Sequence, residues 1–111
     1  DLSIPDATRV RDFYATVCGW THEGLDMGGY QDYVMKSADG AAVGGVCHAR
    51  GTNAKVPPHW IPYAVVADID ACVAKVQELG GSIVDGPRGA GGGRMVIFRD
   101  PAGAHFGLWQ G

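Results

Sequence analysis

The stretch Gly93-Arg-Met-Val-Ile-Phe-Arg-Asp-Pro-Ala-Gly-Ala-His-Phe-Gly-Leu-Trp-Gln110 sets two apolar runs on either side of Asp100-Pro101-Ala102-Gly103. Proline presets φ for a turn and glycine accepts the left-handed geometry that closes it. The segment therefore reads as a β-hairpin. The same pattern stands earlier, where residues 30–40 run into residues 41–47. Laying Gly40 on Gly103 puts Met35 on Phe98, Lys36 on Arg99, Val43 on Phe106 and Gly44 on Gly107. The chain reads as one unit written twice, and a cleft between the copies is where function is expected.

The rest of each unit follows the same order. Leu2-Ser3-Ile4 alternates as a strand does, Asp6 suits a helix N-cap, and Val10, Phe13, Tyr14 and Val17 recur at helical spacing up to Gly19. In the second copy residues 60–67 are strand-like. Asp68 is the cap there, and Ile69, Cys72, Val73, Val76 and Leu79 form the apolar stripe up to Gly80-Gly81. Residues 20–25, 31–36, 42–47 and 82–84 read as strands, 49–58 as a linker and 86–92 as a mobile loop at the pocket mouth. The organisation expected is a single domain over residues 1–111. Module one is 1–48, the linker 49–58 and module two 59–111, each module running β-α-β-β-β.

Composition narrows the function classes. A net charge of −3 gives no basic footprint, so nucleic acid is not expected as a partner. No apolar run approaches the roughly 18 residues of a membrane span, and no signal peptide is read at the start, so no membrane partner is expected. Three cysteines with no CxxC spacing argue against a disulfide framework and for a reducing cytoplasm.

Alternation sorts the strand residues. Leu2, Ile4, Ala64, Val66, Phe98, Phe106 and Leu108 are expected to face the helices. Asp1, Ser3, Asp32, Val34, Lys36, Ala42, Gly44, Val46, Ile61, Tyr63, Val65, Met95, Ile97, Arg99, His105, Gly107 and Trp109 are expected to face the cleft. A slip of one residue would reverse either assignment. Tyr63 and His105 are the most interesting of these, as a hydrogen-bond donor and a group titrating near neutrality. The blander alternative, that both line a pocket and do no chemistry, is the favoured one. Asp1, Asp32, Lys36 and Arg99 could orient a polar ligand or simply pair at the rim. Trp109, Trp60 and Met95 could wall an aromatic ligand, although core packing explains Trp60 equally well. The glycine run 89–93 precedes a strand rather than a helix, so it is not a phosphate cradle.

Asp12-Phe13-Tyr14-Ala15-Thr16-Val17-Cys18-Gly19-Trp20 resembles the FYxxxxGW segment of the vicinal oxygen chelate superfamily. Val66-Ala67-Asp68-Ile69-Asp70, Glu78-Leu79-Gly80-Gly81 and Asp100-Pro101-Ala102-Gly103 are similar to its second half. Pro58-His59-Trp60-Ile61-Pro62-Tyr63 and Phe106-Gly107-Leu108-Trp109 resemble its glyoxalase-like branch. The superfamily includes glyoxalase I, extradiol dioxygenases, fosfomycin-resistance enzymes and bleomycin-binding proteins. The resemblance implies an α+β fold. Its two βαβββ modules would form an incomplete eight-stranded U-shaped barrel with the helices outside. It also implies metal ligands on the first and last strands of each module. Here those positions fall on Ile61, Gly107 and Gly44, with the fourth preceding Asp1, so no metal or other cofactor is expected. Binding of a small aromatic or amphipathic molecule through Asp32, Lys36, Tyr63, Met95, Arg99, His105 and Trp109 is the first expectation. A metal-dependent lyase, isomerase or dioxygenase with displaced ligands is the alternative, with a divalent metal as cofactor. A third reading is a homodimer paired through open sheet edges.

Overall fold

A computed structural model describes residues 1–111. The chain divides into two compact units, Asp1–Trp60 and Ile61–Gly111. Each carries one helix and one four-stranded sheet. In the first, β1 (Leu2–Ile4), α1 (Ala7–Cys18), β2 (Thr21–Asp26), β3 (Gln31–Lys36) and β4 (Ala42–His48) give the strand order β1-β4-β3-β2. In the second, β5 (Tyr63–Val65), α2 (Ile69–Glu78), β6 (Ser82–Ala90), β7 (Gly93–Arg99) and β8 (His105–Gln110) give β5-β8-β7-β6. The β-α-β-β-β order is thus present twice, in an α+β fold whose two sheets have the same connectivity.

Local chemistry accounts for the helix ends. The Asp6 carboxylate accepts from Arg9 N–H at 3.2 Å, and Gly19 closes α1 in the left-handed region at φ 69°. The Asp68 carboxylate accepts from Ala71 N–H at 3.2 Å. A second donor of α2, Ile69 N–H, is taken by the side-chain carbonyl of Gln110 at 2.7 Å, which ties the helix start to the end of β8.

The first core joins Ala7, Tyr33, Met35 and Val46, with Ile4, Val10 and Trp20 against them. The second joins Ile69, Val96 and Leu108 with Ala64, Val66, Cys72, Val73, Ile83, Phe98 and Phe106. The helical stripes are only partly covered: Phe13, Val17 and Leu79 stay exposed.

Three expectations are corrected. First, residues 86–92 are no loop. β6 continues through them to Ala90, and Ala90 pairs with Gly93 across a two-residue turn. Gly91 and Gly92 both have positive φ, 54° and 83°, the geometry that matches strand twist in a tight hairpin. Second, the segment 49–58 contains a short 3-10 turn, Gly51–Asn53.

The third correction concerns register. Lys36 pairs with Ala42 as Arg99 pairs with His105, but the next pair is Met35 with Gly44, not Met35 with Val43. Val43 is the extra residue of a β-bulge and is exposed. Beyond it the pairs are Val34–Gly45 and Tyr33–Val46, matching Ile97–Gly107 and Val96–Leu108. The counterpart of Gly107 is therefore Gly45, not Gly44. Gly44 and Val46 turn to the helix side, where Val46 is wholly buried in the first core.

Candidate functional site

Directly paired strand residues share a face, so register alone builds the second sheet's face away from α2. One row across it is Asp85, Ile97, Gly107 and Tyr63. The next is Arg88, Met95, Trp109 and Val65. A third row holds Ser82, Arg99 and His105. Five residues singled out in the sequence, Tyr63, Met95, Arg99, His105 and Trp109, thus lie on one face of one sheet. Met95 and Ile97 are buried, and Arg99 is exposed at the end nearest the β7–β8 turn.

Two aromatic rings lie along this face on backbone that has no side chain. A Cβ at Gly107 would sit 2.6 Å from the Tyr63 ring, and one at Gly93 would meet the Gln110 backbone carbonyl first and the Trp109 ring at 2.6 Å. Trp109 is also fixed at its edge, its indole N–H donating to the Ala90 carbonyl at 3.3 Å. Between the rings and the β6 edge is an ion pair that sequence reading missed. The Arg88 guanidinium donates from Nε and Nη2 to Asp85 Oδ2 at 3.1 and 3.0 Å, and Asp85 is nearly buried. Gly86-Pro87 between them reads as loop punctuation, and only the irregular register of β6 brings the two charges together.

Asp32 and Lys36 belong to the first unit and are engaged within it. Asp32 is buried, accepting from the His48 backbone N–H at 2.8 Å and from Asn53 Nδ2 at 3.1 Å. It thereby anchors the short 3-10 turn to β3. Lys36 pairs with Glu23 on β2, and that contact holds the Glu23 carboxyl below its usual range. Trp60 packs on the helix side of the same unit. Its indole N–H donates to the Tyr14 hydroxyl at 2.9 Å, and its ring meets Tyr14 edge-on at 5.1 Å.

A shallow apolar groove of about 220 Å³ lies elsewhere, between the end of α2 and the β7–β8 turn, lined by Val76, Leu79, Phe98 and Pro101 among others. It is on the α2 side of the sheet and offers few polar groups to orient a ligand.

The donor set does not fit a divalent ion of the kind the sequence resemblance implies. Such an ion needs several N, O or S ligands converging on one point. Ile61 is buried and apolar, while Gly45 and Gly107 have no side chains. No three His, Cys, Asp or Glu side chains are grouped so as to hold a metal. What the second sheet's face can do is stack aromatic rings and donate hydrogen bonds from its polar end. No helix is long and apolar enough to cross a membrane.

Residues 1–109 match the glyoxalase-like domain family. Among curated relatives, the anthracycline biosynthesis protein DnrV of Streptomyces peucetius is 32% identical over 123 residues, covering 99% of this chain and 45% of that protein. CFP32 of Mycobacterium tuberculosis is 35% identical over 113 residues, covering 99% of this chain and 43% of that protein. The chain thus spans less than half the length of these relatives. Methylmalonyl-CoA epimerase from Mycobacterium tuberculosis shares the fold, with a TM-score of 0.62 at 18% identity, covering 98% of this chain and 83% of that one.

Proposed function

The chain belongs to the glyoxalase-like domain family, and from that premise we propose that it binds a small aromatic or amphipathic molecule without a metal, on the face of β5, β8, β7 and β6 that turns away from α2. The observation that carries this reading is the pair of rings, Tyr63 and Trp109, resting on Gly107 and Gly93 where side chains would otherwise project. Met95, buried in the same row as Trp109, adds adaptable apolar bulk to that face. Arg99 and His105, paired at the end of the same strands, supply polar groups for a ligand oxygen. DnrV is named for anthracycline biosynthesis, and an anthracycline is a fused aromatic ring system, which supports the same ligand class.

The same proposal places the protein in the cytoplasm, where Cys18, Cys47 and Cys72, none of them in a disulfide, stay reduced. It also includes a homodimer, which sedimentation at varied concentration tests. Equilibrium dialysis and thermal shift against a panel of aromatic and amphipathic compounds test the binding. A saturable response to aromatic members is expected, and a flat response across the panel overturns the reading. Stoichiometric zinc, iron, manganese or nickel in protein purified without chelator would turn it toward the metal-dependent lyase, isomerase or dioxygenase.

A further inference from the structure

In both units a glycine of the last strand has a side chain of the facing segment where its own Cβ would project. In the second, a Cβ at Gly107 would lie 2.6, 2.7 and 2.7 Å from three ring carbons of Tyr63, its register partner on β5. In the first, a Cβ at Gly45 would lie 2.5 Å from Asp1 Oδ1. Continuing the β1–β4 pairing by one residue beyond Leu2–Val46 sets Asp1 opposite Gly45. Two unlike side chains thus do the same thing at equivalent places. Each lies over a glycine of the adjacent strand, in room that any other residue there would fill.

From this we infer that Gly107 is a positioning residue. Its bare backbone lets the Tyr63 ring lie flat against β8, and the Trp109 ring lies farther along the same face beside Gly93, so that the face offers an aromatic floor. The ligand class follows: a flat, fused-ring aromatic held by stacking, in preference to a saturated molecule of similar size and charge. Offset stacking rewards planarity, whereas apolar burial alone is indifferent to it. Asp85 and Arg88 close the β6 side of the floor with a pair whose charges already offset each other. They bound its width and do not select a charged ligand. The inference rests on the binding reading above and names its substrate class.

Tryptophan-fluorescence titration with anthraquinone-2-sulfonate, set against cholate as a saturated fused-ring anion, tests it. The whole chain is expected to bind the quinone and to bind cholate at least tenfold more weakly. Gly107→Ala must swing the Tyr63 ring off the strand and is expected to weaken quinone binding about tenfold, as is Tyr63→Ala. Tyr63→Phe, which keeps the ring, should retain it. The deciding measurement is the double variant. If Gly107 acts through the ring, Gly107→Ala costs nothing further once Tyr63 is alanine. Thermal unfolding of each variant shows which are folded, and Tyr63→Phe together with the two-probe comparison on the unaltered chain decides the matter if Gly107→Ala does not fold. Equal binding of cholate, additive losses in the double variant, or loss of binding in Tyr63→Phe overturns the inference while leaving small-molecule binding standing. Absence of binding by either probe, with a flat compound panel, overturns both.

Discussion

Asp32 shows how a carboxylate on the face away from the helix can serve structure. It is buried, and its two oxygens accept from the His48 backbone and from Asn53. Asp32→Ala should therefore remove a buried acceptor from two part-buried donors and cost about 2 kcal/mol, which urea denaturation measures. A loss within a few tenths would mean the 3-10 turn is held by other contacts. From the sequence, Asp32 was legible as a strand residue on the face away from the helix. Its commitment to Asn53, 21 positions away, was not, because that contact depends on how residues 49–58 fold back. Val43 was illegible for a related reason. Nothing in Ala41-Ala42-Val43-Gly44-Gly45 marks which residue bulges, since two glycines in succession let register slip without steric penalty.

At the scale of elements, the caps and turns were readable because their signals are local. Asp6, Asp68, Gly19 and Gly103 all do what their residue types favour. The β6–β7 hairpin was misread because glycine-rich sequence is common both to loops and to tight hairpins. The structure separates the two through the pairing of Ala90 with Gly93. Gly92→Ala places a Cβ on a residue at φ 83° and should cost about 1 kcal/mol, whereas an unstructured loop would tolerate it. Chemical denaturation of the variant reads the difference. A second prediction concerns the contact between α2 and β7. Arg94 donates from Nη1 and Nη2 to the two oxygens of Asp70 at 2.9 and 3.0 Å, which holds the Asp70 carboxyl below its ordinary range. A depressed carboxyl contributes stability that is present above its unfolded value, about pH 4. That contribution is lost as pH falls through the folded value. Arg94→Gln should thus be less stable than the parent chain at neutral pH and indistinguishable from it in strong acid, as urea midpoints across pH would show. Asp70 is exposed and Arg94 only partly covered, so the neutral-pH difference should be small and should shrink with salt.

Each unit has an apolar core of its own, one around Val46 and Met35, the other around Val96 and Ile69. Val46 and Val96 are each fully buried, and truncation of either to alanine should cost about 2 kcal/mol through lost burial and the void left behind. Because the two cores share no residue, the double variant should lose the sum to within about 0.5 kcal/mol. A shortfall well beyond that in the urea midpoints would reveal energetic communication between the units. The doubled architecture was legible from the start because a hairpin turn, a capped helix and a closing glycine recur in the same order. The candidate face was legible only in its outline. Alternation found Tyr63, Met95, Arg99, His105 and Trp109, whereas the Asp85–Arg88 pair and the seating of rings on glycine depend on backbone irregularity and packing that no periodicity carries.

The bulge at Val43 has a practical outcome for anyone recombining the halves. Corresponding residues differ by 62 along β1 and the end of β4, but by 63 at the β3–β4 turn. A chimera spliced with one constant offset would be in frame at one end of β4 and inverted at the other, with Val46 delivered to the wrong side of its sheet. Crossovers belong before Ala42 or after His48, where the exchanged segment carries its own surplus residue with it.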